Sequence, residues 1–226
     1  MGRGAVATVP LLLALGAVAA RAGDFPKAVV VLEGLTAPLP DQVAEAAPAR
    51  FVLLEDGQVF VGGTSRLVAG RLTKAEAKEI EARVAAVRQA PGFGASVSLG
   101  AGNQRHRLRL GKGGSQDITI TGDPTAAEAT PPILARLLQD LLRFDHPSLR
   151  PYRPASYGVI AREGKLAGGC RRWTFSEPVA DSLLTPGTVP AAAAEGWPTG
   201  AVPASVCADD KTYVVALRPL LPGERP

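Results

Sequence analysis

Two histidines occur in the sequence, His106 and His146, and histidine is the side chain best suited to proton transfer near neutral pH. A serine or cysteine nucleophile needs such a base within hydrogen-bond reach. Ser65 lacks the second glycine of the Gly-x-Ser-x-Gly elbow, which places a nucleophilic serine on a strained turn. A hydrolase that uses His146 or His106 with carboxylates is an open alternative. The sequence itself singles out no catalytic residue.

The other groups that could do chemistry form neither a metal motif nor a phosphate motif. Zinc sites take three or four His, Cys, Asp or Glu ligands at regular spacings. The adjacent carboxylates of Asp209 and Asp210 fit a solvated turn better than a calcium site, which needs six to eight oxygen ligands. Lys112 lies in a glycine-rich stretch, but Gly113 follows it where a phosphate loop has Ser or Thr. We therefore predict no metal and no cofactor.

Three arginines alternate along one segment, at Arg105, Arg107 and Arg109. Alternate residues of a strand share a face, so these side chains could hold a polyanion such as an acidic polysaccharide. The competing interpretation is an ordinary solvated sheet face, because Asp117 is expected to lie opposite Arg109. We keep the three arginines as a possible anion-binding face.

The first 22 residues have the layout of a secretory signal peptide. Arg3 precedes an apolar run over residues 5–20, and Ala20-Arg21-Ala22 fits a small-residue cleavage site. The run is shorter than the roughly 20 apolar residues that a transmembrane helix needs. No cysteine follows it to accept a lipid. We predict cleavage after Ala22, a secreted or periplasmic location, and no transmembrane segment in the mature chain.

Cys170 and Cys207 are the two cysteines of the chain. In an exported protein, an even count with none left over favours a disulfide over a metal site or a catalytic pair. We predict that these two residues form one disulfide, which tethers the ends of the segment between them.

The charge of the chain argues against a nucleic-acid partner. The formal net charge is +4, and it falls to +2 when Arg3 and Arg21 leave with the signal peptide. Aromatic residues make up 5% of the sequence. Dedicated nucleic-acid binders are usually more basic and carry more aromatic rings for base stacking.

The clearest structural element that the sequence predicts is a β-hairpin over residues 50–63. Asp56-Gly57 lies between two apolar runs and fits the two central positions of a type I′ turn. That turn leaves both faces of the hairpin apolar. The register that it predicts pairs Leu54 with Val59, Leu53 with Phe60 and Val52 with Val61.

Two helices and a second hairpin follow from local signals. The capping box Thr73-x-x-Glu76 opens a helix that extends to about residue 90, where a Pro-Gly pair stops it. Segments 105–110 and 116–121 alternate with period two and predict the second hairpin. Thr130-Pro131 begins a second helix through residue 143.

Beyond residue 147 the chain is rich in proline, with strands expected at 156–162, 171–175 and 212–217 and irregular structure over 176–205. Hairpins interleaved with helices indicate an α+β fold with a largely antiparallel sheet, two main helices, one disulfide and an irregular carboxy-terminal third. The domains that we predict are a signal peptide (1–22) and a single α+β domain (23–226), in which 150–226 is a Pro-rich, disulfide-tethered extension.

Several segments together are similar to a known group of sequences. They are the hairpin at 51–60, Tyr152-Arg-Pro154, Trp197-Pro198, and the ending 213–224 with its Arg-Pro-Leu-Leu-Pro-Gly-Glu sequence. They resemble uncharacterised exported proteins of high-GC bacteria, many of which are lipoproteins. This chain departs from the lipoproteins because it has no lipid-attachment cysteine. The resemblance implies export and the fold, and it implies no activity.

Three functional hypotheses follow from the sequence. The leading one is a non-catalytic periplasmic or secreted module, either a binding module or an envelope-associated one. The sequence does not identify its partner, and an envelope protein or a polyanionic polysaccharide are the candidates that we name. The second is an exported hydrolase that uses His146 or His106. The third is a protease inhibitor that presents the loop between Cys170 and Cys207, because a disulfide can preorganise a binding segment.

Overall fold

A computed structural model of the chain describes residues 28–36, 43–63, 66–91, 94–100, 102–111, 115–129 and 131–225. The predicted signal peptide, Ser65, Lys112 and Thr130 lie outside these described residues. The predicted α+β class is confirmed: the chain forms two mostly antiparallel sheets with two helices.

The first sheet has eight strands and is followed along the chain by a second sheet of five. The strands of the first are β1 (Ala28–Gly34), β2 (Phe51–Leu54), β3 (Gln58–Gly62), β4 (Leu67–Arg71), β5 (Ser96–Ser98), β6 (Arg105–Leu110), β7 (Gln116–Thr121) and β8 (Arg150–Pro151). They lie in the order β5-β7-β6-β1-β2-β3-β4-β8, and only the β5–β7 pair is parallel.

The two helices are α1 (Lys74–Gln89) and α2 (Pro132–Leu142). The predicted capping box is present, since the Thr73 hydroxyl accepts the Glu76 N–H and the Glu76 carboxylate accepts the Thr73 N–H. Helix α2 begins one residue later than expected, with Pro131 at its N-cap. Among the described residues, neither helix is both long and apolar enough to cross a membrane.

The hairpin formed by β2 and β3 has a different turn from the one predicted. The Gly57 N–H donates to the Leu54 carbonyl (3.1 Å), and within this turn only Gly57 has a positive φ, of 83°. A type I′ turn would also need a positive φ at Asp56. The Asp56 side chain instead accepts the Gln58 N–H (3.0 Å), a local bond typical of Asx turns.

This three-residue loop shifts the register of the hairpin by one residue. The predicted pairs Leu54–Val59, Leu53–Phe60 and Val52–Val61 are therefore wrong. The expectation that both faces of the hairpin are apolar is confirmed, because one face packs on the helices and the other packs on carboxy-terminal residues including Leu221. The observed pairs are Phe51–Val61, Val52–Phe60 and Leu53–Val59.

The second predicted hairpin has the expected strands and register. Strands β6 and β7 span the predicted residues, with Leu108 opposite Ile118 and Arg109 opposite Asp117. Leu108 and Ile118 are fully buried in the core beneath the helices. Here the period-two pattern alone fixes which face is buried.

The carboxy-terminal third contains more regular structure than expected. Its five strands are β9 (Ser156–Glu163), β10 (Arg171–Arg172), β11 (Gly187–Pro190), β12 (Ala204–Ala208) and β13 (Lys211–Pro219), in the order β10-β12-β13-β9-β11. The segment 176–205, predicted to be irregular, holds β11 and a short 3₁₀ helix, Val179–Leu183. The predicted disulfide is present, with a Cα–Cα distance of 5.6 Å between Cys170 and Cys207.

A buried arginine, Arg218 of β13, joins the two sheets. Its Nη1 donates to the carbonyl oxygens of Glu45 and Ala47, both at 2.9 Å. Its Nε and Nη2 donate to Glu224 Oε1 at 3.1 and 2.9 Å. Nη2 also lies 3.4 Å from Oε1 of Glu33, which is in β1 of the first sheet. The guanidinium is thus compensated by groups from three separate parts of the chain.

The same network explains the Arg-Pro-Leu-Leu-Pro-Gly-Glu sequence at 218–224. Its first and last residues are the ion pair, and Glu224 Oε2 also accepts the Leu221 N–H at 2.9 Å. Leu221, between them, packs against the first sheet. The sequence is therefore a structural clamp.

Replacing Arg218 with methionine is expected to destabilise the fold by about 3–5 kcal/mol, because it removes the ion-pair partner of the buried Glu224 carboxylate and one of the positive charges around Glu33. Urea unfolding measures this loss. The matched control is Arg225→Met, which removes an exposed arginine seven residues away and should change stability by less than about 0.5 kcal/mol. Equal effects of the two substitutions would contradict the clamp.

Candidate functional site

The predicted anion-binding face on β6 is largely occupied by the protein's own carboxylates. Arg107 Nη1 and Arg109 Nη2 lie 3.9 and 3.8 Å from Glu33 Oε2. Arg109 Nε lies 3.4 Å from Asp117 Oδ1. Of the three, Arg105 is exposed, and Arg107 and Arg109 are half-buried. A ligand on this face would have to compete with Glu33 and Asp117.

Glu33 is the buried centre of this charged group. Burial raises the pKa of its carboxyl, and the neighbouring charges of Arg218, Arg109 and Arg107 oppose that rise. Its Oε2 accepts no hydrogen bond from any described residue. Arg107 and Arg109 therefore act as counter-charges for Glu33, which gives them a structural role whatever else they bind.

A second set of arginines, which the sequence did not single out, lines a cleft at one end of the first sheet. The cleft has a volume of about 560 Å³, within the range of ligand pockets. It contains Arg50, Arg66 and Arg150, and Asp145 is the one acidic residue among the described residues that line it. We call this the arginine cleft.

Strand topology brings these arginines together. Arg50 precedes β2, Arg66 precedes β4 and Gly62 ends β3. Because the three strands are neighbours and antiparallel, the start of β2, the end of β3 and the start of β4 meet at one edge. Arg150 joins them from β8, where it pairs with Ala69 of β4.

Glycines make room for the deepest of the three guanidinium groups, that of Arg50. A Cβ on Gly34 would lie 3.4 Å from Arg50 Nε, and one on Gly63 would lie 3.5 Å from Nη1. Gly62 donates its N–H to the Arg50 carbonyl at 3.1 Å, and a Cβ on Gly62 would overlap the Ala49 carbonyl oxygen. The end of β3 therefore lies close against residues 49 and 50, which fixes the base of the cleft.

The arginines of the cleft have few internal partners. Within the described part of the chain, no carboxylate forms an ion pair with Arg50, Arg66 or Arg150. Arg150 Nη1 donates to the carbonyl oxygens of Pro147 and Leu149, both at 2.8 Å, which orients its guanidinium at the rim. Planar guanidinium groups bind carboxylates and phosphates through paired hydrogen bonds. The cleft is thus arranged to receive an anion.

His146 lies in the wall of the cleft, and both its ring nitrogens are already engaged. Nε2 lies 3.2 Å from Glu76 Oε1, and Nδ1 lies 2.7 Å from Ser148 Oγ. The Ser148 hydroxyl also accepts the Arg71 N–H at 3.2 Å and lies against Gly70. The resulting Glu–His–Ser chain resembles a hydrolase triad in composition. Its serine, however, is held against β4 and is not part of the cleft lining.

Glu76 takes part both in this Glu–His–Ser hydrogen-bond series and in the N-terminal cap of α1. Hydrogen bonds from the hydroxyl and N–H of Thr73, with a smaller contribution from His146, lower the pKa of Glu76 to about 2. The carboxylate is therefore charged at every physiological pH. It ties the start of α1 to the loop that follows α2, which is a structural role for His146.

His106, the other candidate base, is buried in β6. It is 6% exposed, and neither of its ring nitrogens finds a hydrogen-bond partner among the described residues. Burial lowers its pKa, the charge of Arg50 lowers it further, and Asp123 opposes these effects. Its ring is therefore held neutral and away from solvent, which does not favour a role as a solvent-accessible base.

The segment between the two cysteines is folded onto the second sheet. Strand β11 pairs with β9, and Val179, Val189 and Ala194 are buried in the core of that sheet. Two large apolar side chains of this segment are exposed, Val202 at 41% and Leu184, at the end of the 3₁₀ helix, at 90%. An inhibitor loop would instead need an extended projecting segment, so the fold gives this hypothesis little support.

No other chemical site emerges from the described residues. They contain no group of three or more His, Cys, Asp or Glu side chains that could hold a metal ion. Asp209 and Asp210 occupy the hairpin turn between β12 and β13 with φ of 49° and 60°, which is the type I′ geometry once expected at Asp56-Gly57.

The chain matches no protein-family model, no curated protein and no solved structure. The arginine cleft and its neighbours are therefore the basis on which a function can be argued.

Replacing His106 with leucine is expected to raise stability and to flatten its pH dependence. Because the folded-state pKa is lowered, the unfolded chain binds a proton below about pH 6.5 that the folded chain refuses, so wild-type stability falls as the pH drops through that value. Leucine removes this effect and an unpaired buried group, a gain of about 1–3 kcal/mol. Urea unfolding at pH 7.5, 6.0 and 5.0 measures both changes.

The control for this prediction is His146→Gln, which breaks a satisfied hydrogen-bond chain and should lower stability. If the wild type and His106→Leu lost stability in parallel between pH 7.5 and 5.0, the assignment of a buried neutral imidazole at position 106 would be wrong.

Proposed function

We propose that this chain is an exported, non-catalytic module that binds an acidic polysaccharide of the cell envelope, with its carboxylates held in the arginine cleft. The observation that carries the proposal is the set of three arginines around one cleft, where Asp145 is the one acid among the described lining residues. The buried Arg218, in contrast, is matched by carboxylates of the chain. The absence of such matching in the described cleft leaves positive charge available for a ligand.

Export is part of this proposal. The predicted signal peptide with cleavage after Ala22 would place the mature protein in the periplasm or outside the cell. A formed disulfide between Cys170 and Cys207 fits an oxidising compartment of that kind. An acidic surface polymer is an abundant anion in such a place, and long polyanions suit an open cleft.

Binding is better supported than hydrolysis by the positions of the two histidines. In a Ser-His-acid chain the histidine takes the proton of the serine that it contacts, so that serine must be able to reach the substrate. Ser148, the serine that contacts His146, is held against β4 outside the cleft lining, and His106 is buried. Neither arrangement favours the hydrolase hypothesis.

Replacing Arg50 with glutamine is expected to weaken binding of polygalacturonate about tenfold or more, because hydrogen bonds to charged groups contribute about 1.5–3 kcal/mol. Isothermal titration calorimetry at 50 mM and 300 mM NaCl measures the loss. Affinity should also fall with salt, since screening weakens charge pairing. Arg66→Gln should act in the same direction with a smaller effect, because Arg66 is exposed.

The matched control is Arg105→Gln, which removes an exposed arginine of the face first predicted on β6. It should leave the affinity within about twofold, with unfolding midpoints equal for all variants. If Arg105→Gln weakened binding more than Arg50→Gln, the β6 face would be the site. If polygalacturonate did not bind the wild type at either salt concentration, the proposed function would fall.

A further inference from the structure

Three aromatic rings meet on the surface of the second sheet, beside the disulfide. The ring centroids of Trp173 and Phe175 are 4.6 Å apart, those of Phe175 and Trp197 are 4.9 Å apart, and those of Trp173 and Trp197 are 5.6 Å apart. All three are partly exposed, and they pack on the core of the sheet. We call these rings, with Arg171 and Arg172, the aromatic patch.

The patch contains both tryptophans of a chain that is poor in aromatic residues. The interior of the second sheet is closed by aliphatic side chains and Tyr213, which are almost fully buried. Large aromatic rings that stay partly exposed outside such a core are typical of binding surfaces. There they provide rigid contact area at low entropic cost.

Two arginines give the patch a positive charge. The Arg171 guanidinium lies 4.6 Å from the centroid of the Trp197 ring, and its Nη1 donates to the Gly196 carbonyl at 3.1 Å. Arg172 is exposed, and no described carboxylate forms an ion pair with either arginine. Stacking on Trp197 orients the Arg171 guanidinium and leaves nitrogen atoms for an external acceptor.

The disulfide holds this patch in position. Arg171 and Arg172 form β10, which contains two residues and has two partners on β12, at Val206 and Cys207. So short a strand has few backbone hydrogen bonds to fix it. The Cys170–Cys207 bridge ties it to β12 and thereby orders the arginines and Trp173 before any ligand arrives, which lowers the entropic cost of binding.

We propose that the aromatic patch is a second binding site, for a uronic-acid unit of an acidic oligosaccharide. A sugar ring presents C–H groups that pack on aromatic faces, and its carboxylate suits the guanidinium of Arg171 or Arg172. A purely neutral sugar would make no use of the two arginines. The ligand class rests on the proposed function, since one acidic polymer would then contact both the arginine cleft and the patch.

Intrinsic fluorescence tests this proposal directly, because Trp173 and Trp197 are the two tryptophans of the chain. Titration with tri-galacturonate should give a saturable change in tryptophan emission, with little change for maltotriose, a neutral trisaccharide. Arg171→Gln should weaken the response about tenfold or more, and Arg172→Gln should weaken it to a smaller extent. Arg153→Gln, at an exposed arginine outside the patch, is the matched control.

Arg50→Gln separates the two sites. A fluorescence titration that persists in Arg50→Gln and is lost in Arg171→Gln, with equal unfolding midpoints, supports the patch. A response lost in Arg50→Gln and kept in Arg171→Gln would overturn the patch and leave the cleft standing. No saturable change up to 10 mM tri-galacturonate, or an equal response to maltotriose, would also overturn it.

Discussion

Arg218 carries a full positive charge into the space between the two sheets, where solvent cannot stabilise it. An ion in such a place is tolerated only when hydrogen bonds and counter-charges surround it. Glu33 of the first sheet, Glu224 of the carboxy-terminal segment and the carbonyl groups of residues 45 and 47 supply them. One guanidinium therefore constrains the positions of all these segments, including the end of β1 that contains Glu33.

That constraint also decides which arginines are available for ligands. Glu33 is compensated by Arg218 from one side and by Arg107 and Arg109 from the other, so the β6 arginines have an internal task. The cleft arginines lie at the starts of β2 and β4 and in β8, and no described carboxylate forms an ion pair with them. The β6 arginines and the cleft arginines thus differ in role because of partners that are distant along the chain.

Features that depend on nearby residues could be predicted from the sequence. The Thr73–Glu76 cap involves residues three apart, and the β6–β7 pairing follows from alternation within two short runs. The Cys170–Cys207 bridge joins residues 37 positions apart, but it could be predicted because two cysteines allow one pairing. The register of β2 and β3 could not be predicted as surely, because Asp56-Gly57 is compatible with more than one turn, and the Asp56 side chain selects between them.

The candidate sites were harder to predict, since they are assembled by topology. Arg50, Arg66 and Arg150 are separated by 16 and 84 residues, and no short motif contains them. They come together only because neighbouring antiparallel strands start and end at the same edge. The contact of Trp197 with Trp173 and Arg171 likewise depends on how β10 lies beside β12. The Arg-Pro-Leu-Leu-Pro-Gly-Glu sequence can be seen in the sequence, but its structural role cannot be, because Arg218 also pairs with the distant Glu33.

The ion pair between Glu33 and Arg218 also has a kinetic consequence. The two residues are 185 positions apart, and β1, which holds Glu33, is an interior strand of the first sheet. During synthesis or translocation this strand can pair with β2 and β6 long before residue 218 emerges, and its carboxylate then has no guanidinium from β13 to meet. Contacts of such long range slow folding and prolong the lifetime of partly ordered states. We expect the docking of β13 to be the last step of folding. Until Arg218 pairs with Glu33, the first sheet should be less tightly ordered.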